Sequence, residues 1–323
     1  MITGILELTV LNVSTEQLNW KPDSNIKAVP NISVLCDCSF IGDGSSLNSK
    51  WKRKEQIGCG SSCKVYKAVY PYRGFEYEIA VKEVQINLSK KAKERLEKSV
   101  NTEINILKKL RHKNIVQYFG HFQDEFNYFI FMELLNAGPL SHYIDDNREK
   151  PKGLKHSLVV KFTRQILNGL KCIHEERIIH RDIKAENILV TNMENIKIAD
   201  FGISKVFEKF SKASTRGVGT LRYMAPERFG SDSYSYPVDI CFWLRAVGCV
   251  VFEMITGSLP FKKFEDYQIF KVMSEARPFP FLHCDNAMLL STKDKEFLAY
   301  IFKKDPEERP TVDELIINSY LAD

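Results

Sequence analysis

The sequence predicts an α+β chain folded as two lobes: a small antiparallel β-sheet lobe with one main helix, then a larger, mostly helical lobe. Three observations carry that expectation. After Trp51 come short β-rich segments separated by turn residues, "KRKEQIG", "CKVYKAVY" and "YEIAVKEV". A helical period occupies 89–110, and two more β-rich runs follow, "IVQYFGHF" and "YFIFMELL". Beyond Gly138 helical periods dominate. At 323 residues and 44% hydrophobic composition the chain can bury a core of this size. The first lobe is expected over 51–133 and the second, with the connection that leads into it, over 134–323.

The elements can be justified in order. Residues 1–50 are polar and uneven, with Pro22, Pro30 and "GDGSS" at 42–46; they read as a weakly ordered extension or a fragment of a larger region, with one short strand at 5–13. In 89–110, Ser89 is a suitable N-cap, and Leu96, Val100, Glu103, Leu107 and Leu110 recur at spacings of four and three on one face. Glu103 is anomalous there, because a carboxylate in an apolar stripe needs a buried cation as partner. "SLVVKFTRQILNGLKCIHEE" places Leu158, Phe162, Ile166, Leu170 and Ile173 on one helical face. The most apolar window, 241–257, is broken by Arg245 and Glu253 and is short for a membrane span, so it reads as a buried core helix.

Composition excludes several functions. The formal charge is only +5, with Lys and Arg dispersed among Asp and Glu, which argues against a nucleic-acid surface and leaves acidic ligands such as phosphates open. The eight cysteines form no paired CxxC units or Cys/His cluster, so free thiols in a reducing cytoplasm are expected. "MITGILELTVLNV" has no basic leader and Glu7 interrupts it, so no signal peptide is expected.

Four separated segments carry chemistry. "IGCGSSCKV" (57–65) lies between strand-like runs, and a glycine turn there lets backbone N–H groups approach phosphate oxygens. Alone this is weak, since many hairpins hold two glycines. Lys82 in "IAVKEV" supplies the cation that Glu103 lacks, and a lysine so held can grip a phosphate. "IIHRDIKAEN" (178–187) confines Asp182, Lys184 and Asn187 between apolar runs, where they can orient a hydroxyl, neutralise a transferred phosphoryl group and ligate a metal. "IKIADFG" (196–202) ends a strand at Asp200, a second oxygen ligand of the kind Mg2+ requires when it bridges polyphosphate oxygens.

In this order and spacing the four segments resemble a eukaryotic protein kinase catalytic domain, from about Trp51 to the C-terminus. The resemblance implies ATP and Mg2+ as cofactors. It assigns Gly58, Gly60 and Val65 to the loop over ATP, and Lys82, paired with Glu103, to the α- and β-phosphates. Asp182 becomes the catalytic base, Lys184 the stabiliser of the transferring group, and Asn187 and Asp200 the metal ligands. Met132 fits the gatekeeper position, with the Glu133 and Leu135 backbones reaching adenine and Ile57, Val65, Ala80 and Leu189 sandwiching the ring. Leu107, Tyr118, His180 and Phe201 would form an apolar column joining the lobes. "YMAPE" (223–227) would close the activation segment, with Glu227 paired to Arg309, and Asp239 would prop the catalytic loop.

Lys184 together with Thr220 in "GVGTLRYMAPE" resembles Ser/Thr rather than Tyr kinases. "HRDIKAENIL", "NIVQYFG" and "WKRKEQIGCGSSCKVYKAV" look most like MAP kinase kinase kinases of the MEK-kinase type, which implies a MAP kinase kinase as protein substrate and neither a nucleic-acid partner nor a membrane span. Arg181 would receive a phosphate from the activation segment, at Ser214 or Thr215 rather than Ser211 or Thr220. Two departures stand out. Cys63 replaces the third loop glycine and lies near Cys59, which permits oxidation sensitivity. Asp239 and Gly248 are nine residues apart where kinases have five. The four extra residues, about one helical turn, would rotate everything downstream, force a bulge, lengthen the loop before the helix, or reflect an error in the gene model. That spacing supports an alternative class, a pseudokinase or scaffold.

Overall fold

The computed structural model describes residues 51–59, 63–72, 75–86, 94, 104, 107–147, 153–176, 178, 180, 182–200, 236–260, 262–265, 268, 271, 285–303, 305 and 308–322, with the side chains of 72 and 236–243 excepted. The expectations for 1–50, Gly60, Glu103, Arg181, Phe201, Glu227, the side chain of Asp239 and the hydroxyls between 211 and 220 therefore lie outside the described residues.

Five strands build the first sheet: β1 (Lys52–Cys59), β2 (Cys63–Tyr72), β3 (Phe75–Gln85), β4 (Tyr118–Gln123) and β5 (Asn127–Glu133). They lie in the order β1-β2-β3-β5-β4, and every neighbouring pair is antiparallel. Strand β3 is buried on both faces, which explains why "YEIAVKEV" reads as a nearly continuous apolar run. Tyr77, Ile79 and Val81 join Phe129 and Phe131 in one cluster, against which Trp51 packs at 5.8 Å from both phenyl rings. Val84 and Ile86 face the other way, toward Ile104, Leu107 and Leu110 in the main core. Within the 89–110 segment, Lys108 N–H donates to Ile104 O at 2.9 Å, a helical bond, and the expected face residues Leu107 and Leu110 are buried.

"IVQYFGHF" is only partly strand. Its first residues leave β4 to stitch the sheet to a second hairpin, β6 (Ile188–Val190) paired with β7 (Ile196–Ile198). Ile115 bridges Ile198 in parallel. Val116 N–H donates to Ile198 O and Ile198 N–H to Asn114 O, each at 2.9 Å. The Asn114 side-chain amide donates to Ile196 O at 2.9 Å.

The helices that follow are α1 (Leu140–Asn147), α2 (His156–Glu175), α3 (Tyr236–Thr256), α4 (Thr292–Ile301) and α5 (Val312–Ile316). Helix α2 buries Val159, Phe162, Ile166, Leu170 and Ile173, while Leu158 sits at the edge of that stripe. A Cβ on Gly169 would lie 2.9 Å from Ile198 Cδ1 and 3.0 Å from Asn114 O, so glycine lets α2 close on the joint between the sheets. Capping boxes start α4 (Ser291 with Asp294) and α5 (Thr311 with Glu314), satisfying N-terminal amides that would otherwise lack partners.

The apolar window 241–257 forms most of α3, and every residue from Leu244 to Ile255 is buried. The helix runs unbroken from Tyr236, so Asp239, Gly248 and the residues between them, the four extra ones included, lie in one helix. Helix α3 crosses α4 where a Cβ on Gly248 would meet the Phe302 ring at 2.3 Å. Among the described residues, no helix is long and apolar enough to cross a membrane.

Burial holds the imidazoles of His121 and His174 down at about 4, with Lys108 adding repulsion at His121. Both stay neutral in the fold at pH values where an unfolded chain, titrating near 6.5, takes up protons. Stability should therefore be complete above about 6.5 and fall as the pH drops toward about 4. Urea midpoints measured across this window should decline less steeply in a His121→Gln/His174→Gln variant than in the wild type. Equal slopes would contradict this account.

Candidate active site

Register places the sheet side of the cleft. Gly58 pairs with Val65, Val65 with Lys82, and Lys82 with Ile130, so these four positions share one face across four strands. Ala80, two residues from Lys82 on the same face, pairs with Met132. Ile57 falls at the irregularity between Gln56 and Gly58 and is half exposed.

Lys82 is buried, and its ammonium lies 2.6 Å from Asp200 Oδ1. Burial, the largest influence, acts to discharge it. Asp200, Cys63 and Asp182 together outweigh that, and the pKa is held above the ordinary lysine value. The cation thus stays charged inside the cleft. Lys82, Leu107, Val116, Tyr118, Ile130, Met132 and Asp200 line a pocket behind Met132. Leu107 and Tyr118, both expected in the column joining the lobes, are among them.

The loop after α2 is organised by His180, which is fully buried. Its Nε2 lies 2.8 Å from Ala199 O and its Nδ1 3.3 Å from Asp182 N. The two bonds are satisfied together when Nε2 carries the proton and Nδ1 accepts. His180 therefore does more than pack: it fastens the Asp182 loop to the residue before Asp200. Asn187 makes a parallel link. Its Nδ2 donates to Asp182 Oδ2 and Asp182 O, both at 2.8 Å. Its backbone O accepts from Ala199 N–H at 2.8 Å. Lys184 Nζ sits 3.3 Å from Asp182 Oδ2. Asp200 has φ 58, a left-handed conformation uncommon outside glycine, in keeping with a side chain aimed by its surroundings.

The chain between the lobes is fixed too. Glu133 ends β5, and its N–H donates to Gln117 O at 2.9 Å. Gly138, with φ 75, turns the chain so that its O accepts from Val190 N–H at 2.8 Å, and Pro139 bridges Leu189. Leu189 is thereby held beside the segment containing Leu135.

Oxygen donors suited to Mg2+ are present. Asn187 spends its amide nitrogen on Asp182, which leaves Oδ1 as its metal-facing atom, and the Asp200 carboxylate is 42% exposed. Mg2+ takes one or two protein ligands and completes its shell with phosphates and water, so this pair fits. Among the described residues no group of three or more His, Cys, Asp or Glu forms a denser metal site.

Of the expected residues, the structure joins Lys82, Asp200, Asp182, Lys184 and Asn187 into one network. It sets Gly58, Val65, Ala80 and Met132 on or against the facing sheet. Asn114, Gly169 and Lys197 were not anticipated. Their signals are faint, since each matters through a backbone approach or a single cross-strand contact.

A model of the protein kinase domain matches residues 51–321, and the chain belongs to that family. It is 34% identical over 287 residues to mitogen-activated protein kinase kinase kinase 5 of Arabidopsis thaliana, covering 86% of this chain and 38% of the relative. It is 36% identical over 298 residues to the mitogen-activated protein kinase kinase kinase MST11 of Pyricularia oryzae, covering 88% of this chain and 31% of that protein. Mitogen-activated protein kinase kinase kinase 5 of Mus musculus is 34% identical over 86% of this chain and 20% of its own length. The chain thus spans well under half the length of these relatives. The crystal structure of Rad53 1–466 in complex with AMP-PNP superposes with a TM-score of 0.65 and 25% identity, over 84% of this chain and 65% of that one.

Proposed function

We propose that the chain is an ATP-dependent protein serine/threonine kinase, a MAP kinase kinase kinase that phosphorylates MAP kinase kinases in the cytoplasm. The observation that carries this reading is the network from Lys82 to Asp200, from its neighbour Ala199 by a backbone bond to Asn187, and from Asn187 to Asp182 and Lys184. It gathers a buried cation, two carboxylates, an amide and a second cation at the mouth of a cleft. Phosphoryl transfer needs this set, because its catalysis is mainly positioning and charge stabilisation.

In the mechanism, Val65, Ala80 and Ile57 cover adenine, Leu189 supports it from below, and Met132, Glu133 and Leu135 line its edge. Gly58 and Gly60 bring backbone amides to the phosphates. Lys82, kept charged by its carboxylate neighbours, holds the α- and β-phosphates, with Glu103 as its further partner. Asp182, oriented by Asn187, accepts a hydrogen bond from the substrate hydroxyl and takes its proton as the oxygen attacks the γ-phosphorus, whose bond to the β,γ-bridging oxygen breaks to release ADP. Lys184 neutralises charge on the group in transit. Asn187 and Asp200 would hold Mg2+, which would supply neutralisation of phosphate charge.

The MAP kinase kinase kinase assignment is supported by the names of the relatives and by the words "HRDIKAENIL" and "NIVQYFG". The test is incubation with labelled ATP and a MAP kinase kinase whose own activity has been removed. Label should enter Ser or Thr of its activation segment. Label confined to tyrosine, or confined to unrelated basic proteins, would refute the assignment. The extra turn of α3 favours one second reading, a pseudokinase whose catalytic loop lacks its Asp239 prop. Deleting four residues from 240–243 should then raise phosphoryl transfer at least tenfold; no gain would dismiss it.

A further inference from the structure

We propose that the Glu133–Lys197 ion pair is a positioning device that sets the β6–β7 hairpin against the segment between the lobes and so tunes nucleotide affinity. The proposal rests on the kinase reading of the cleft and goes beyond it, because neither side chain has a task in phosphoryl transfer. Lys197 Nζ lies 2.9 Å from Glu133 Oε2, and the same oxygen accepts the Gln117 backbone N–H at 3.2 Å. The two side chains are only 19% and 12% exposed, so the pair is largely withdrawn from solvent screening.

Its location gives it leverage. Glu133 is the last residue of β5, where the chain leaves the sheet and where adenine is expected. Lys197 stands opposite Leu189, the proposed floor of the adenine site, and three residues before Asp200. Cross-strand partners share a face, so Lys197 and Leu189 both turn toward the Glu133 side of the hairpin. Ile198, the next residue, turns the opposite way and is fully buried in the core.

The hairpin thus has two attachments of different kinds. One is main-chain: Ile198 with Asn114 and Val116, Val190 with Gly138, and Leu189 with Pro139. It does not depend on side-chain identity and holds the lobes together. The other is made by side chains, among which the ion pair is the tie to Glu133 and biases how the hairpin is rotated against the segment between the lobes, beside the bonds from Asn114 and Gln165 on the core side. Rotation moves Leu189 and Asp200 together relative to the Glu133 backbone. Removing the ion pair should therefore loosen the nucleotide site without unfolding the chain or disabling Asp182.

The test uses three single variants of the full chain. Lys197→Met removes the cation, and Glu133→Gln removes the charge but keeps an acceptor for Gln117. Lys197→Arg preserves the pair. The primary readout is the dissociation constant of ATP with Mg2+, measured by calorimetry, which exists whether or not the γ-phosphate is transferred. Thermal midpoint, kcat and KM for the protein substrate are recorded beside it. Lys197→Met should weaken ATP about fivefold or more, with kcat and the protein-substrate KM within about twofold of wild type; Glu133→Gln should weaken ATP about as much, and Lys197→Arg should stay near wild type. ATP affinity unchanged in both charge-removing variants would overturn the proposal. So would a weakening matched by equal losses of thermal midpoint and kcat that Lys197→Arg shares, since that marks a purely structural role. If the wild type binds ATP but transfers nothing, the kinase reading fails while this proposal is still decided by the binding constants. If the wild type binds no ATP, both fall.

Discussion

Replacing Asp182 with Asn should lower kcat by about 10²- to 10⁴-fold while ATP affinity stays within a few-fold of wild type. The substitution is nearly isosteric, so the contact with Asn187 Nδ2, 2.8 Å from Oδ2 in the wild type, can persist through the remaining carbonyl oxygen. What is lost is the negative charge that accepts the substrate proton and balances Lys184 at 3.3 Å. Lys82 and Asp200 are left as they are, so the phosphate grip survives. Initial rates and ATP titrations on the two proteins separate these effects. A variant that loses ATP affinity in proportion to rate would place Asp182 in nucleotide binding instead of proton transfer.

Gly248→Ala should be a strongly destabilising single-methyl change. The added Cβ would lie 2.3 Å and 2.8 Å from two atoms of the Phe302 ring and 3.1 Å from Ile301 Cγ2. Phe302 is 2% exposed and Arg245 stacks over its ring at 5.1 Å, so the ring has no room to retreat. Either α4 moves outward or α3 bends. Overpacking of this kind costs about 1–3 kcal/mol. For a chain of this size each kcal/mol lowers the thermal midpoint by roughly 2–4 °C. Thermal melts of the two proteins check this, and a midpoint within about 1 °C of wild type would mean that α3 and α4 are free to adjust. Nine residues back from Gly248 along a helix is about 13.5 Å, compared with about 7.5 Å for five. The added length lies in the same helix as the buried segment that begins at Leu244.

Much of the site was legible because its parts lie in short segments whose residue types are odd for their surroundings. Lys82 on an apolar strand and Asp182 between apolar runs each violate local patterning, and such violations mark chemistry. The strands were legible from β-rich runs and turn residues. The first half of "IVQYFGHF" was not, because pairing with β7 is a long-range choice that alternation cannot reveal. The tethering role of His180 was hidden for a related reason: a buried histidine looks like core until its two ring nitrogens are given partners. Lys197 was readable only as one more charged residue, and Glu133 only through its backbone, since the meeting of their side chains depends on how the hairpin turns back under the sheet. The stripe of α2 was read one position early, at Leu158 instead of Val159, because an edge residue and a core residue are both apolar.

The most direct test of the whole account is the rate at which the unaltered chain, with its lengthened α3, transfers the γ-phosphate of ATP to a MAP kinase kinase, measured beside Asp182→Asn. The account predicts steady turnover by the wild type and a rate at least about 10²-fold lower in the variant. Indistinguishable rates from the two proteins would contradict it.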